Sequence, residues 1–271
     1  MKYCWMVVAV LSVLSVAEPA RACRCGAPDR GFVIPEGDKL PANAAGLPWQ
    51  GWPRQVENFE VVELTATGEL PQSVKLLAVT RQSPASRVWP VVIVSVEGGL
   101  QPGASYRFRF VADETKRVIG ARKEAVVTVS QNSVVAPSEV SLTVGPLEHR
   151  STKISAGGSC SESTNTARRE LSLELPGLDD AAKNSLFYLT LVDGKPWRVR
   201  SSICSPDALG PTWKGLGKDL LFSLCPESPR RGLKSGSSSI EMLAILPGTD
   251  LVIRSEQISV NLECQPPSDS P

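Results

Sequence analysis

Histidine is nearly missing from this chain: there is one in 271 residues, alongside three Tyr, three Met and an aromatic share of 6%. One His leaves no room for His-based metal clusters or for Ser-His-Asp catalysis. An excess of one charge is missing too, with 29 Lys+Arg against 28 Asp+Glu and a net charge of +1. That balance supplies no long-range attraction to nucleic acid or to an anionic membrane surface. Beyond Val16 no apolar run approaches the ~20 residues that span a bilayer, and no helix-period pattern of useful length appears. Nucleophile motifs of the G-x-S-x-G or S-x-x-K type are absent. Gly215-Leu216-Gly217-Lys218 is followed by Asp219, so the phosphate-loop spacing fails. No D-x-D-x-D-G calcium run exists, which leaves Glu36, Asp38, Asp179 and Asp180 as turn and cap residues. The composition implies no cofactor and no metal.

What is present is turn chemistry around apolar runs. The chain holds 22 Pro and 21 Gly, with 42% apolar and 21% charged residues. This is enough to bury a core, and it favours turn-rich β architecture over a helical bundle. Short Val- and Leu-rich segments at 31–34, 60–64, 73–80, 88–96, 106–110 and 125–129 read as strands. Tyr106-Arg107-Phe108-Arg109-Phe110 alternates as a sheet with one dry and one wet face requires. Strand candidates resume at 140–144, 170–175, 186–192, 197–203, 220–225, 240–246 and 258–264. Asp193-Gly194 signals a tight hairpin, and 178–185 reads as one helical turn.

The N-terminus reads as an address. Lys2 precedes an apolar stretch at 5–16, Glu18-Pro19 breaks it, and Ala20-Arg21-Ala22 has the small residues of a cleavage site. Residues 1–22 are therefore expected to be a signal peptide cut between Ala22 and Cys23, making the protein exported: periplasmic, at the cell surface or secreted. The remaining organisation is a Cys-containing leader at 23–30, a domain at 31–130, a linker at 131–139, a second domain at 140–264 and a disordered tail at 265–271.

Leu100-Gln101-Pro102-Gly103-Ala104-Ser105-Tyr106 resembles the tyrosine corner of immunoglobulin-like and fibronectin type III sandwiches, with Leu100, Pro102, Gly103 and Tyr106 as its structural residues. Upstream, Pro35-Glu36-Gly37-Asp38 with Pro41-Ala42-Asn43 is similar to the P-x-G-x-x-x-P-x-N opening of bacterial Ig-like domains of surface-layer type. The resemblance covers about residues 32–129, and residues 44–53, rich in Pro and Trp, depart from it. It implies an all-β protein of two tandem Ig-like antiparallel sandwiches, the second an Ig-like unit by weaker analogy and stapled by disulfides.

After cleavage the cysteines are Cys23, Cys25, Cys160, Cys204, Cys225 and Cys264, an even set that reads as disulfides in an exported chain. The expected pairing is Cys160–Cys264 across the second domain and Cys204–Cys225 across a Gly- and Pro-rich loop, with the partners of Cys23 and Cys25 open. Cys23 directly after the cleavage site suggests lipoprotein acylation and an outer-membrane lipoprotein as the alternative location. A mature N-terminal C-x-C also resembles tissue inhibitors of metalloproteinases, which implies an inhibitor acting through Cys23 on a target's zinc. Trp49 and Trp52, beside Gly and Pro, are the candidate ligand aromatics; core filling is the competing reading for every Trp. His149 and the basic residues Arg230, Arg231 and Lys234 read as solvated surface. Leu246-Pro247-Gly248-Thr249-Asp250 departs from a sortase signal in its last residue. The functional expectation is a non-enzymatic cell-envelope or extracellular binding or structural module with a protein or glycan partner. No nucleic acid is expected, and a membrane only if Cys23 carries lipid.

Overall fold

The computed structural model describes residues 30–50, 55–78, 91–111, 121–157, 160–197, 217–225 and 232–264. Among them the chain is all-β, apart from a 3-10 turn at Val56–Asn58 and a five-residue helix, α1, at Asp180–Asn184. Asp179 caps that helix by accepting the Ala182 N–H at 2.7 Å.

The first unit consists of β1 (Arg30–Phe32), β2 (Lys39–Leu40), β3 (Leu47–Gln50), β4 (Phe59–Thr65), β5 (Gly68–Gln72), β6 (Val74–Ala78), β7 (Val91–Val96), β8 (Ser105–Phe110), β9 (Ala121–Arg122) and β10 (Glu124–Val129). They form two sheets, ordered β6-β7-β3-β1-β9 and β2-β10-β8-β4-β5. This is the strand order of an immunoglobulin-type sandwich. Its first strand is split: β1 lies antiparallel to β3 in one sheet, and β2 lies parallel to β10 in the other. The crossover runs through Gly37 (φ 82°) and Asp38 (φ 53°), both left-handed. Alternation sets the faces. On β8, Tyr106, Phe108 and Phe110 are buried, as are Ala125, Val127 and Val129 on β10. Residues 44–53 contain a strand, β3, where Pro- and Trp-rich sequence reads as loop. Its pairing partners β1 and β7, distant in sequence, supply the hydrogen bonds that local propensity does not.

The second unit consists of β11 (Ser141–Val144), β12 (Glu148–Gly157), β13 (Cys160–Glu174), β14 (Phe187–Val192), β15 (Lys195–Pro196), β16 (Lys218–Leu224), β17 (Gly236–Ile245), β18 (Val252–Arg254) and β19 (Ile258–Leu262). One sheet centres on β13, which pairs with β11, β12 and β16; the other centres on β17, which pairs with β14, β18 and β19. Leu171, Leu173, Leu221, Ile240, Met242, Ala244, Val260 and Leu262 meet between them.

A disulfide staples this unit, but between Cys225 and Cys264, with Cα atoms 5.7 Å apart. Both expected pairings are thereby corrected. β16 ends where Leu224 faces Thr166 of β13, and the Cys225 N–H reaches Asn165 O. Cys160 lies six positions further along β13, roughly 20 Å at the rise of a strand, whereas a disulfide needs Cα atoms within about 7 Å. The end of β19 instead comes to the end of β16, so the bond ties one sheet to the other. Cys23, Cys25 and Cys204 lie outside the described residues, and of Cys160 only the backbone is described.

The two sandwiches pack sheet against sheet. β14 (FYLTLV) buries Tyr188 and Val192 towards its own core, and Phe187, Leu189 and Leu191 towards the first unit. Leu243 and Ile245 of β17 share that second face, which meets Val33 and Val91. The result is a stack of four sheets in which β7, β14 and the Met242–Ile245 end of β17 are covered on both faces, as near-continuous apolar strands require. At Gly248 (φ 78°) the β17–β18 turn comes so close that a Cβ there would stand 2.9 Å from Ala45 and Ile93 side chains of the first unit.

Candidate functional site

The tyrosine-corner residues are placed by the β8–β10 pairing. Gly103 (φ 84°) turns the chain and donates its N–H to Val129 O at 2.8 Å. Leu100 and Tyr106 are buried, and Tyr106 Oη accepts the Gln101 N–H at 3.0 Å. Two residues on, where antibody domains carry their second Cys, Phe108 is fully buried. These residues hold the scaffold and leave the ligand question to other positions.

Trp49 is corrected from ligand aromatic to core residue. It sits on β3 with zero exposure. Phe110 stacks on it at 4.5 Å between centroids, and Phe32 and Phe59 meet it edge-on at 5.0 and 5.3 Å. Its Nε1 is buried without a hydrogen-bond acceptor. Trp52 lies outside the described residues, but the ends of its connection are placed. Gln50 pairs with Val91, Ala78 with Val92 and Phe59 with Phe110. The connections 51–58, 79–90 and 111–120 therefore leave the first sandwich at one end, and in sequence they carry Trp52 and Trp89.

The opposite end is the junction. Asn43 donates its Nδ2–H to Val134 O at 2.8 Å, and its Oδ1 accepts the Val134 N–H at 2.9 Å. The Val134 side chain is buried in the second unit's core, so one linker residue is gripped by both sandwiches. Ala42 N–H donates to Asn132 O at 2.8 Å, and Ser185 Oγ lies 3.4 Å from Lys39 O. Beside this seam is an open groove of about 460 Å³ lined by Pro41, Gln131, Ser133, Val135, Leu178 and Asp179, among others. No sequence motif pointed to it, because it exists only where two distant segments meet.

The exposed face of β8 is charge-paired. Arg107 contacts Glu69 and Glu124, and Arg109 lies 3.3 Å from Glu124; exposed pairs of this kind add ~0–1 kcal/mol each. Glu36 and Asp38 occupy the crossover between β1 and β2, and His149 is exposed on β12. Arg230 and Arg231 lie outside the described residues. Among the described residues no three metal-ligating side chains cluster, and no helix is long and apolar enough to cross a membrane. Burial pushes the Tyr188 phenol well above its ordinary range and lifts the Asp219 carboxyl to about 6. Comparison with known proteins finds no matching family model, no matching curated protein and no matching solved structure.

Proposed function

We propose that the protein is an exported, non-enzymatic module of the cell envelope or extracellular space, built on Ig-like sandwiches, that binds a protein or glycan through the end of the first sandwich opposite the Asn43–Val134 clamp. The observation that supports this reading is the double anchoring of that sandwich. One of its sheets is dried against the second unit, and Asn43 clamps the linker at its far end. A scaffold held at fixed orientation lets loops contact a partner with less ordering cost. The connections 51–58, 79–90 and 111–120, whose flanking strand ends meet at the other end, carry Trp and charged residues in sequence, and aromatic side chains contribute strongly to protein and sugar contacts.

The test is sedimentation of the purified protein with isolated envelope fractions, together with a glycan array. Saturable binding is expected, weakened about tenfold or more by Trp52→Ala or Trp89→Ala at unchanged folding. Equal binding by both variants would remove this end of the sandwich from the proposal. The intact mass of the protein from its host addresses Cys23 separately: added acyl mass would make it a membrane-held lipoprotein. Potent inhibition of a metalloprotease, lost when one residue is added before Cys23, would replace the binding-module reading.

A further inference from the structure

The chain that enters the first sandwich and the chain that leaves it lie side by side, pointing the same way. In one sheet Arg30 and Gly31 of β1 pair in parallel with Ala121 and Arg122 of β9. After the crossover to the other sheet, Lys39 and Leu40 of β2 pair in parallel with Thr128 and Val129 of β10. The contact then continues past both strands into the linker. Thr128 N–H donates to Asp38 O at 2.9 Å, Ser130 N–H to Leu40 O at 2.7 Å and Ala42 N–H to Asn132 O at 2.8 Å. Asn43 closes the series by gripping the Val134 backbone with its Nδ2 and Oδ1 atoms.

Side chains key the entering segment into place. Phe32 is buried edge-on against Trp49 at 5.0 Å, and Leu40 is buried in the same core. At Gly31 (φ 107°) the backbones come so close that a Cβ would stand 2.3 Å from Arg122 O, so this approach requires glycine. On its other side β1 is held antiparallel by β3, and Val33 N–H donates to Pro48 O at 2.9 Å. Direction decides how such a series breaks. Because the segments are parallel, Arg30 lies at one end of the sandwich and the Asn43–Val134 clamp at the other. A pull on the chain ahead of Arg30, opposed by a pull on the linker, slides 30–43 along 121–134 and strains every bond of the series at once. A pull applied wholly at the Arg30 end opens the same bonds one after another, each meeting the full force alone.

We propose that residues 30–43 and 121–134 form a tension lock, and that the first sandwich serves as a link carrying pull between its N-terminal end and the second sandwich. Load entering through the linker reaches the Asn43–Val134 contact first. The Val134 side chain is also rooted in the second unit's core, so both units take up the pull at that residue. This role does not depend on which partner the loops of the first sandwich bind.

The experiment is constant-force unfolding of the full chain in magnetic tweezers, with handles coupled to azide-bearing residues. One pair, at Arg30 and at the exposed linker residue Glu139, pulls the series along its length. The other pair, at Arg30 and at Val111, which is exposed at the same end as Arg30, opens it from that end. At equal force the first arrangement should outlive the second by roughly a hundredfold or more, because several bonds of modest individual worth must fail together. Equal lifetimes overturn the proposal. Asn43→Ala removes both side-chain bonds of the clamp, so it should shorten the Arg30–Glu139 lifetime by about tenfold or more and leave the Arg30–Val111 lifetime unchanged. An Arg30–Glu139 lifetime that ignores the variant also overturns the lock. Should Asn43→Ala fail to fold, the two pulling directions applied to wild type decide by themselves.

Discussion

Tyr106 joins two kinds of interaction in one side chain: the ring lies in the aromatic core, and the hydroxyl accepts the Gln101 N–H across the preceding turn. Replacing it by Phe keeps the packing and removes the bond. Tyr106→Phe is therefore expected to cost about 1 kcal/mol, read as a lower urea midpoint at unchanged slope. The position was legible in the sequence because turn and ring are only five residues apart. Trp49 was not legible in that way. Its neighbours in sequence are Gly, Pro and another Trp, the company of a loop, while its neighbours in space are Phe32, Phe59 and Phe110 from three other strands. Asn43 stands between these cases: it was visible as part of an opening motif, yet its partner, Val134, lies 91 residues away.

At the scale of elements, strands with one wet face announced themselves. β8 alternates charged or polar with apolar residues, β10 does so except at the exposed Val126, and burial alternates residue by residue on both. The β12–β13 ribbon did not: Ser, Thr and Gly dominate HRSTKISAG and CSESTNTAR, and its pairing is set by register between the two strands rather than by an apolar stripe. That ribbon also decided the disulfide. Its length carries Cys160 away from the place where β16 and β19 end, leaving Cys225 and Cys264 as neighbours. Non-reducing peptide mapping should recover Cys225 linked to Cys264. Changing both to Ser should cost about 2–4 kcal/mol, because the closed loop of 39 residues no longer restricts the unfolded chain.

For the whole molecule, the consequential surface is the one between the sandwiches. Each unit has its own core, and a third apolar cluster spans them. Wild type should accordingly unfold in one transition, with exchange-protected peptides of both sandwiches lost together in urea. Leu189→Asp places a charge in that third cluster while leaving both cores intact, so it should lower stability by about 3 kcal/mol or more. It should also separate the loss of protection into two steps; a single step retained in the variant would mean the sandwiches are coupled elsewhere. The sequence by itself determined the all-β class, the turn that opens β8 and the Asp179 cap, because each rests on contacts within a few residues or on the two-residue period of a strand. The tertiary structure decided what distance in sequence conceals: which cysteines meet, that Trp49 is interior, that Val134 is gripped from both sides, and that β7, β14 and the Met242–Ile245 end of β17 are dry on both faces. A continuous apolar strand records that something covers each face, but only packing identifies the cover, since hydrophobic burial is proportional to area and indifferent to which partner provides it.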